Sequence, residues 1–288
     1  MKNLLKIWGV ICVGLLSCER EGFNIERGEM KLVVEGWIEE GDVARVLLSR
    51  SVPIDELVDS TNFLQYAIRS ARVVVSDGTD SDTLRLRSAS QYLPPYLYIG
   101  NRVIGKVGQT YTLTVFYIDP ATGLSQILTA ETRIPPSVPI QNVEYIRRNP
   151  TDTFGNIIVE FTHPADQDIY YQVATMVRGE DQIFIPCLYG IFSSRNLTSP
   201  NVRKKFMRGV SIFPQANFDM YYKDGDTISV RLRTMHKDAF DFWNLWQNEI
   251  LNASNPIFPA NTNLKSNING GIGIWSGYGQ HTVNLIAR

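Results

Sequence analysis

The stretch TYTLTVFY, residues 110–117, decides the fold class of this chain because apolar or aromatic side chains recur at every second position. A period of two puts one row of side chains on the buried face of a β-sheet and the other row on its solvated face. The turn sequence DPATG follows at 119–123, and residues 125–133 are expected to pair back as the next strand. The stretch therefore predicts an antiparallel hairpin in a mainly β protein.

Strand-like segments of the same kind precede this hairpin. They are 32–38 (LVVEGWI), 44–49 (ARVLLS), 71–76 (ARVVVS), 83–87 (TLRLR) and 96–99 (YLYI). No long helical pattern interrupts them, so about seven strands fall within about a hundred residues. Residues 31–133 are therefore predicted to form an N-terminal β-sandwich of the immunoglobulin or transthyretin type.

A proline-rich segment, residues 134–140 (IPPSVPI), ends this first series of strands. Its three prolines are incompatible with a central strand, so the segment is predicted to be a stiff linker between two domains. Residues 141–288 begin again with three strands, as fibronectin type III modules do, and are predicted to form a C-terminal β-sandwich. The chain is thus expected to contain two tandem β-sandwich domains.

The second sandwich is predicted to carry one amphipathic α-helix at about 237–251. Apolar residues recur there at helical spacing, namely Ala239, Phe242, Trp243, Trp246 and Ile250. Phe242, Trp243 and Trp246 are expected to pack on the edge of the sheet. Asn255-Pro256 follows and favours an end to the helix before it.

The first residues resemble a bacterial lipoprotein signal. An apolar run over residues 4–16, interrupted only by Lys6, follows a positively charged start and leads into Leu15-Leu16-Ser17-Cys18. Its unbroken part, residues 7–16, is too short to span a membrane. Residues 1–17 are therefore predicted to be a signal peptide, and Cys18 is predicted to carry a lipid that anchors the protein to a membrane. An ordinary secretory signal is the alternative. The polar residues 18–30 are predicted to form a tether.

The charge composition argues against nucleic acid as a partner. The 28 Lys and Arg residues are balanced by 29 Asp and Glu residues. The basic cluster Arg203-Lys204-Lys205, with Arg208, is short and is interpreted as a solvated strand end or loop. Cys187 stands among apolar residues and is interpreted as a small buried side chain rather than a nucleophile.

Patterns for catalysis or metal binding are weak throughout the sequence. A zinc site needs three or four ligands at suitable spacing, and the three histidines lie in separate contexts. Acidic residues that share a turn are more often turn formers than ligands or catalytic pairs. We therefore predict no catalytic residue, no metal site and no cofactor. The positions considered are His163 with Asp166 and Asp168, His236, His281, Asp224 with Asp226, and Ser276.

Aromatic residues are better candidates for an interaction surface. Tyr92, Tyr96 and Tyr98 surround Pro94-Pro95, and Trp275 and Tyr278 lie in a glycine-rich segment, residues 267–279. Packing in the core is the competing explanation for each of these aromatic side chains. The glycines are expected to let the backbone pass close to another surface, with the protein's own core favoured over a partner.

Several short motifs follow one another along the chain. They are LVVEGWI (32–38), VVVSDG (73–78), GQTYTL (108–113), IP (134–135), VEFT (159–162), DIYY (168–171) and NINGGIG (267–273). Their order resembles that in the lipoprotein family described as domain of unknown function 4249. His163-Pro164 departs from the aspartate-proline expected there. The resemblance implies an outer-membrane lipoprotein of Bacteroidota, often encoded beside a TonB-dependent transporter, and implies no agreed activity.

Three functions are compatible with the sequence. The first is a non-enzymatic accessory or binding component of a TonB-dependent transport system, held at the outer membrane by lipid on Cys18, with a barrel protein as partner and an unidentified ligand. The second is a structural or adhesive surface lipoprotein that pairs through an exposed strand. The third, a hydrolase with a site assembled from distant residues, is the least supported.

Overall fold

The computed structural model describes residues 30–52, 62–164, 167–210, 219–252 and 265–288. Cys18, the predicted signal peptide and all of the predicted tether except Met30 lie outside these residues, and so does Asp166. The described part is mainly β, as predicted, and holds one α-helix, α1 (Lys237–Asn252). Within that part, no helix has the length and apolar character needed to cross a membrane.

The strands follow the order expected from the alternating segments. Those of the first half are β1 (Leu32–Glu39), β2 (Val43–Arg50), β3 (Arg72–Ser76), β4 (Ser81–Thr83), β5 (Arg85–Ser88), β6 (Tyr96–Ile104), β7 (Thr110–Ile118) and β8 (Ser125–Arg133). Those of the second half are β9 (Ile140–Arg147), β10 (Phe154–Thr162), β11 (Tyr170–Val177), β12 (Ile185–Ser193), β13 (Asn201–Phe206), β14 (Tyr222–Lys223), β15 (Thr227–Met235) and β16 (Ile272–Ile286).

These strands form three sheets that make two sandwiches. An eight-stranded sheet has the order β12-β11-β15-β16-β1-β2-β6-β5 and supplies one layer of both sandwiches. A sheet of order β4-β3-β7-β8 covers its first half, and a sheet built around β10, with β9, β13 and β14, covers its second half. Each sandwich has its own apolar core, and the two cores lie on the same side of the shared sheet.

The last strand, β16, joins the two sandwiches. Its first half pairs in parallel with β1, from Ile272 opposite Val33 to Tyr278 opposite Glu39. Its second half pairs antiparallel with β15, from Gly279 opposite Thr234 to Ile286 opposite Thr227. The division into 31–133 and 141–288 therefore needs a correction, because the first half of β16 completes the N-terminal sandwich.

Trp275 shows how completely the glycine-rich segment belongs to the first core. Its side chain is fully buried there, and its Nε1 donates a hydrogen bond to the carbonyl of Tyr111 at 3.0 Å. A Cβ on Gly36, the residue opposite, would lie 2.8 Å from the Trp275 ring, so only glycine leaves room for the indole. Gly273 has φ +120°, and a Cβ there would lie 1.9 Å from the carbonyl oxygen of Val34. The glycines thus allow close approach to the protein's own core, which was the favoured explanation.

The predicted linker is packed against β16 along its length. Ile134 is buried in the first core and Val138 in the second. The Thr234 hydroxyl donates to the carbonyl of Pro136 at 2.8 Å, and the Ile140 amide donates to Nδ1 of His281 at 3.1 Å. The segment therefore fixes the two sandwiches to the shared strand.

Helix α1 matches the predicted range within one residue at its C-terminal end. It lies on the outer face of the eight-stranded sheet, meaning the face opposite the two cores. There it covers the edge strand β12, whose Ile191 amide donates to Oε1 of Gln247 at 3.4 Å, and it extends inward over β11 and β16. Its Ala239 and Phe242 pack with Met235, Ile274 and Tyr278. The stripe of apolar residues is therefore buried against strands that include both halves of the molecule.

Candidate binding surface

The centre of the outer face carries a continuous group of aromatic side chains. Trp37 of β1 contacts the cluster under helix α1 on one side and the cluster around Tyr92 on the other. The Trp37 and Tyr92 rings are 5.9 Å apart at a tilted angle, and Nε1 of Trp243 donates to the Tyr278 hydroxyl at 2.8 Å. The strand period explains the placement, because Val34 and Ile38 of β1 face the core while Trp37 faces outward.

A buried ion pair network adjoins these aromatic residues. Glu39 of β1 is almost fully buried and accepts hydrogen bonds from Arg231, at 3.0 Å, and from Arg233. Arg233 also donates to Gln172 at 2.9 Å, and its guanidinium lies 5.0 Å above the Tyr278 ring. Since Glu39 belongs to the first sandwich and both arginines to β15 of the second, the network connects the sandwiches.

Arg231 keeps its charge despite its partial burial. Arg231 lies 3.7 Å above the ring of Phe184, and burial, followed by repulsion from Arg233, lowers its pKa to about 10. At neutral pH this guanidinium is still protonated. The outer face therefore presents two close, partly desolvated cations that share one carboxylate.

Glu35 is the second acidic residue of β1 on this face. It is half-buried, and burial raises its pKa to about 7. Burial also raises the pKa of the Tyr92 hydroxyl, with further effects from Arg45, Arg233, Glu35 and Glu39, so these charges surround Tyr92. No hydrogen bond or ion pair to the Glu35 carboxyl is present within the described residues, so the group is available to a binding partner.

Three buried polar atoms, two on the paired strands β15 and β16 and one on the residue that follows β1, have no hydrogen-bond partner among the described residues. They are Nε of Arg233, Oε1 of Gln280 and Oε2 of Glu40. Gln280 is paired with Arg233 in the sheet, and its Nε2 donates to the carbonyl of Glu40 at 3.3 Å. Buried polar atoms are normally satisfied, so an exception at a charged and aromatic surface marks a candidate binding site.

The predicted interaction residues are separated by the structure. Tyr92 and Tyr278 lie on the outer face, although Tyr278 is buried beneath helix α1 and supports the surface from below. Tyr98 and Trp275 were wrongly placed, because both side chains are buried in the first core. Tyr96, the first residue of β6, is partly exposed, and the Arg69 guanidinium lies 5.2 Å above its ring.

Five charged residues of this surface were not predicted from the sequence, namely Glu35, Glu39, Arg45, Arg231 and Arg233. In the sequence these residues alternate with apolar residues, which is the pattern of an ordinary solvated face. A usable signal was the presence of Trp37 between the two glutamates, because a large aromatic residue on the polar row indicates that the row is partly covered. Nothing local indicates that Glu39 meets Arg231, since the two residues are 192 positions apart.

The positions considered for chemistry have structural partners. His163 shares a hydrogen bond of 2.8 Å with the Tyr171 hydroxyl, and Asp168 is paired with Arg195. These residues line a surface depression of about 390 Å³ with Gln167 and Ser194. Among the described residues, no group of three His, Cys, Asp or Glu side chains is arranged to hold a metal ion.

The remaining candidates are explained in the same way. Asp224 forms a two-point ion pair with Arg147, at 3.0 and 2.7 Å, and Asp226 accepts a hydrogen bond from the Lys223 amide within the turn. Ser276 is buried. Cys187 is buried in the second core, and burial raises the pKa of its thiol to about 12, so it is a buried apolar side chain as interpreted from the sequence.

The basic cluster is part of the second sandwich. Arg203 of β13 pairs with Glu144 and Glu160, at 2.8 and 2.6 Å. Lys204 lies 5.3 Å above the Phe192 ring. Arg208 is buried and pairs with Glu180 and Asp181. Arg203 and Arg208 are therefore paired with carboxylates of the second sandwich.

The described residues thus define a β protein of two sandwiches on a shared sheet, with a charged and aromatic outer face. The model of the family "Domain of unknown function (DUF4249)" matches residues 20–283, so the chain belongs to this family. The chain is also similar to a solved structure, a two fibronectin type-III domain segment from chicken tenascin. That similarity has 10% identity and a TM-score of 0.20, and it covers 72% of this chain and 91% of that chain. No curated protein matches the sequence significantly.

Proposed function

We propose that this protein is a non-enzymatic, lipid-anchored binding protein of the outer membrane that assists a TonB-dependent transporter. The observation that carries the proposal is the outer face of the eight-stranded sheet. It combines Trp37 and Tyr92 with the Glu39–Arg231–Arg233 network and with the Glu35 carboxyl, which is unpaired among the described residues. The anchor part of the proposal is supported by the Leu15-Leu16-Ser17-Cys18 sequence.

Binding is favoured over catalysis by the way the polar groups are used. The serine considered as a nucleophile is buried, and the acidic residues considered as catalytic pairs are held in ion pairs or turns. A hydrolase needs a nucleophile or base exposed to substrate beside groups that stabilise developing charge. The outer face instead offers arginine and aromatic side chains, which are enriched where proteins bind other proteins.

A protein partner suits this surface better than a small ligand does. The face is part of a sheet of eight strands braced by helix α1 and by two cores, so it is rigid and broad. Rigid surfaces bind with little loss of conformational entropy. Arg231, Arg233 and Glu35 project from the outer face and are partly exposed, so they can meet complementary charges on a partner and set its orientation.

The proposal is tested by recovery of a barrel partner from detergent-solubilised outer membranes after crosslinking. Wild-type protein is expected to co-purify with a TonB-dependent barrel. The variant Arg45→Glu with Tyr92→Ala is expected to recover about tenfold less, because it reverses a charge and removes an aromatic anchor on the outer face. Lys205→Glu is the matched control, since Lys205 is exposed on β13 in a different sheet.

The anchor is tested separately in the same cells. Cys18→Ser is expected to release the protein from the membrane fraction, because the acyl chains provide the attachment. Recovery of wild-type protein without any barrel overturns the accessory function, and equal recovery by the outer-face variant overturns the assignment of the surface. Retention of Cys18→Ser in membranes overturns the lipid anchor.

A further inference from the structure

Exposed apolar side chains are concentrated at the tip of the β7–β8 hairpin. Ile118, Leu124 and Ile127 are 64%, 65% and 60% exposed, the three most exposed large aliphatic side chains of the described residues. Ile118 and Phe116 alternate with the buried Tyr117, and Ile127 is paired with Phe116, so these side chains share one face of the hairpin. The turn at 119–123 (DPATG) is closed by backbone hydrogen bonds between Asp119 and Gly123 and between Asp119 and Leu124, which do not involve these side chains. An exposed apolar patch of this kind indicates an interaction.

The hairpin tip lies at the end of the molecule where the described chain begins. The amide of Lys31 donates to Oγ of Ser51 at 2.9 Å, and the amide of Ser51 donates to the carbonyl of Lys31 at 2.8 Å. The adjacent Arg50 pairs with Asp119 of the hairpin turn at 3.3 Å and donates to the Tyr117 hydroxyl. These contacts connect the N-terminal segment directly to the apolar tip.

The same end carries further side chains suited to the boundary between lipid and water. Met30, Val52 and Leu64 are exposed there. The guanidinium of Arg72 lies 4.2 Å above the Phe116 ring, and Arg69 lies above Tyr96. Tyrosine and arginine side chains with an apolar body and a polar end are enriched at membrane interfaces.

The second sandwich lies at the opposite end. The chain leaves the first sandwich at Ile134, whose carbonyl accepts a hydrogen bond from the Gly108 amide at 2.8 Å. Gly108 lies just before β7 begins, so this exit is at the end of the sandwich opposite the hairpin tip. Strand β16 begins at the tip end, with Ile272 opposite Val33, and continues for 15 residues into the second sandwich. At about 3.3 Å per residue, this strand runs roughly 50 Å away from the tip.

We propose that the β7–β8 tip, formed by Ile118, Leu124 and Ile127, inserts into the surface of the lipid bilayer beside the lipidated N-terminus. This inference rests on the proposed anchor at Cys18. Only residues 19–29 separate Cys18 from Met30, so this connection spans at most about 40 Å. The end of the body that carries the tip is therefore held close to the bilayer. A membrane is therefore the apolar phase nearest to this patch, whereas a second copy would have to meet it tip to tip.

Insertion would also orient the body. With the tip in the bilayer and β16 running away from it, the shared sheet would stand upright on the membrane, and its outer face would point sideways, along the membrane surface. The loops of a transporter in the same membrane would lie at the same height above the bilayer. The lipid contact and the proposed protein contact are therefore compatible, because they use different surfaces of the molecule.

The test places an environment-sensitive fluorophore at the tip of the purified, lipidated full chain. The chain carries Leu124→Cys and is reconstituted in vesicles of phosphatidylethanolamine and phosphatidylglycerol. Val107→Cys is the matched control, because Val107 is 41% exposed in a turn at the opposite end of the same sandwich. Cys187 is buried and stays unlabelled in the folded protein. Quenching by nitroxide-labelled lipid is expected to be at least about threefold stronger at position 124 than at position 107.

The outcomes separate this inference from the anchor. Membrane-bound protein whose position 124 is quenched by aqueous iodide, and no more than position 107 by nitroxide lipid, overturns tip insertion while the anchor stands. A blue shift at position 124 without lipid quenching also overturns it, and indicates contact between copies. Protein that fails to stay on the vesicles overturns the anchor itself. A second preparation with Ile118→Ser and Ile127→Ser should lose the lipid quenching at position 124 and remain bound to the vesicles.

Discussion

The two sandwiches of this protein differ in the sequence separation of the strands that pair within them. The second is built from strands within residues 140–286, which pair antiparallel with one another. The first contains strands of residues 32–133, yet its central strand β1 also pairs in parallel with β16, which lies more than 230 residues later. Contacts over such a distance cost more loop entropy before they form. The first sandwich therefore depends on the end of the chain, and the second does not depend on its beginning in the same way.

The strongest test of this difference is Trp275→Ala. The substitution removes a fully buried indole from the first core and its hydrogen bond to Tyr111, and is expected to lower the free energy of unfolding by about 4 kcal/mol. Hydrogen exchange should accelerate most in β1, β2 and β7, although the altered residue lies near the C-terminus. Urea unfolding gives the size of the effect, and exchange mass spectrometry gives its location.

The matched control is Phe161→Ala, which empties a comparable volume in the second core. It is expected to cost a similar free energy of about 3–5 kcal/mol but to accelerate exchange in β10 and β11. Equal acceleration of both sandwiches by either substitution would show that the protein opens only as a single unit. The two cores would then differ in how their strands pair but would unfold together.

Glu39→Ala addresses the connection between the sandwiches and has the next largest expected effect. Glu39 is buried between Arg231 and Arg233, so its removal leaves two partly buried cations without their shared carboxylate. A cost of about 3 kcal/mol is expected, and thermal unfolding should separate toward two transitions because the ion pair bridges β1 and β15. Glu144→Ala is the control, since that exposed pair with Arg203 lies within the second sandwich and contributes less than about 1 kcal/mol.

Elements that rest on local periodicity were predicted closely. The alternating stretch at 110–117 is β7, Thr110–Ile118, and the helical stripe predicted at 237–251 is α1, Lys237–Asn252. Side-chain spacing determines both elements within a few residues of sequence. The mainly β class followed directly from such segments.

Pairings between distant residues could not be predicted in this way. The glycine-rich segment indicated a close approach, but nothing local named β1 as its partner, and Trp275 was consequently placed on a surface. Tyr98 was misplaced for a related reason, because neighbouring residues of a strand face opposite sides and the sequence does not say which side is covered. Glu39, Arg231 and Arg233 were missed because their ion pairs join strands from the two halves of the chain.

Glu35→Gln has the smallest expected effect and tests whether a change on β1 affects only the first sandwich. Burial raises the pKa of Glu35 from 4.5 to about 7, so the folded state holds a proton that the unfolded state releases at lower pH. Stability therefore falls as the pH rises from about 4.5 through 7, and the penalty is complete above 7. Because the side chain is only half-buried, solvent screens part of this penalty, and about 1–2 kcal/mol is expected.

Glutamine keeps the shape of the side chain and removes its titration. Urea unfolding at pH 5 and pH 8 should give Glu35→Gln the same stability as wild type at the lower pH and a higher stability at the upper pH. Glu131→Gln, the same substitution at an exposed position of β8, is the matched control. The loss of protection in wild type at pH 8 should appear in β1, β2 and the first half of β16, because these strands surround Glu35. An equal loss of protection in β10 and β13 would mean that ionisation of Glu35 destabilises both sandwiches through the shared sheet, although their cores are separate.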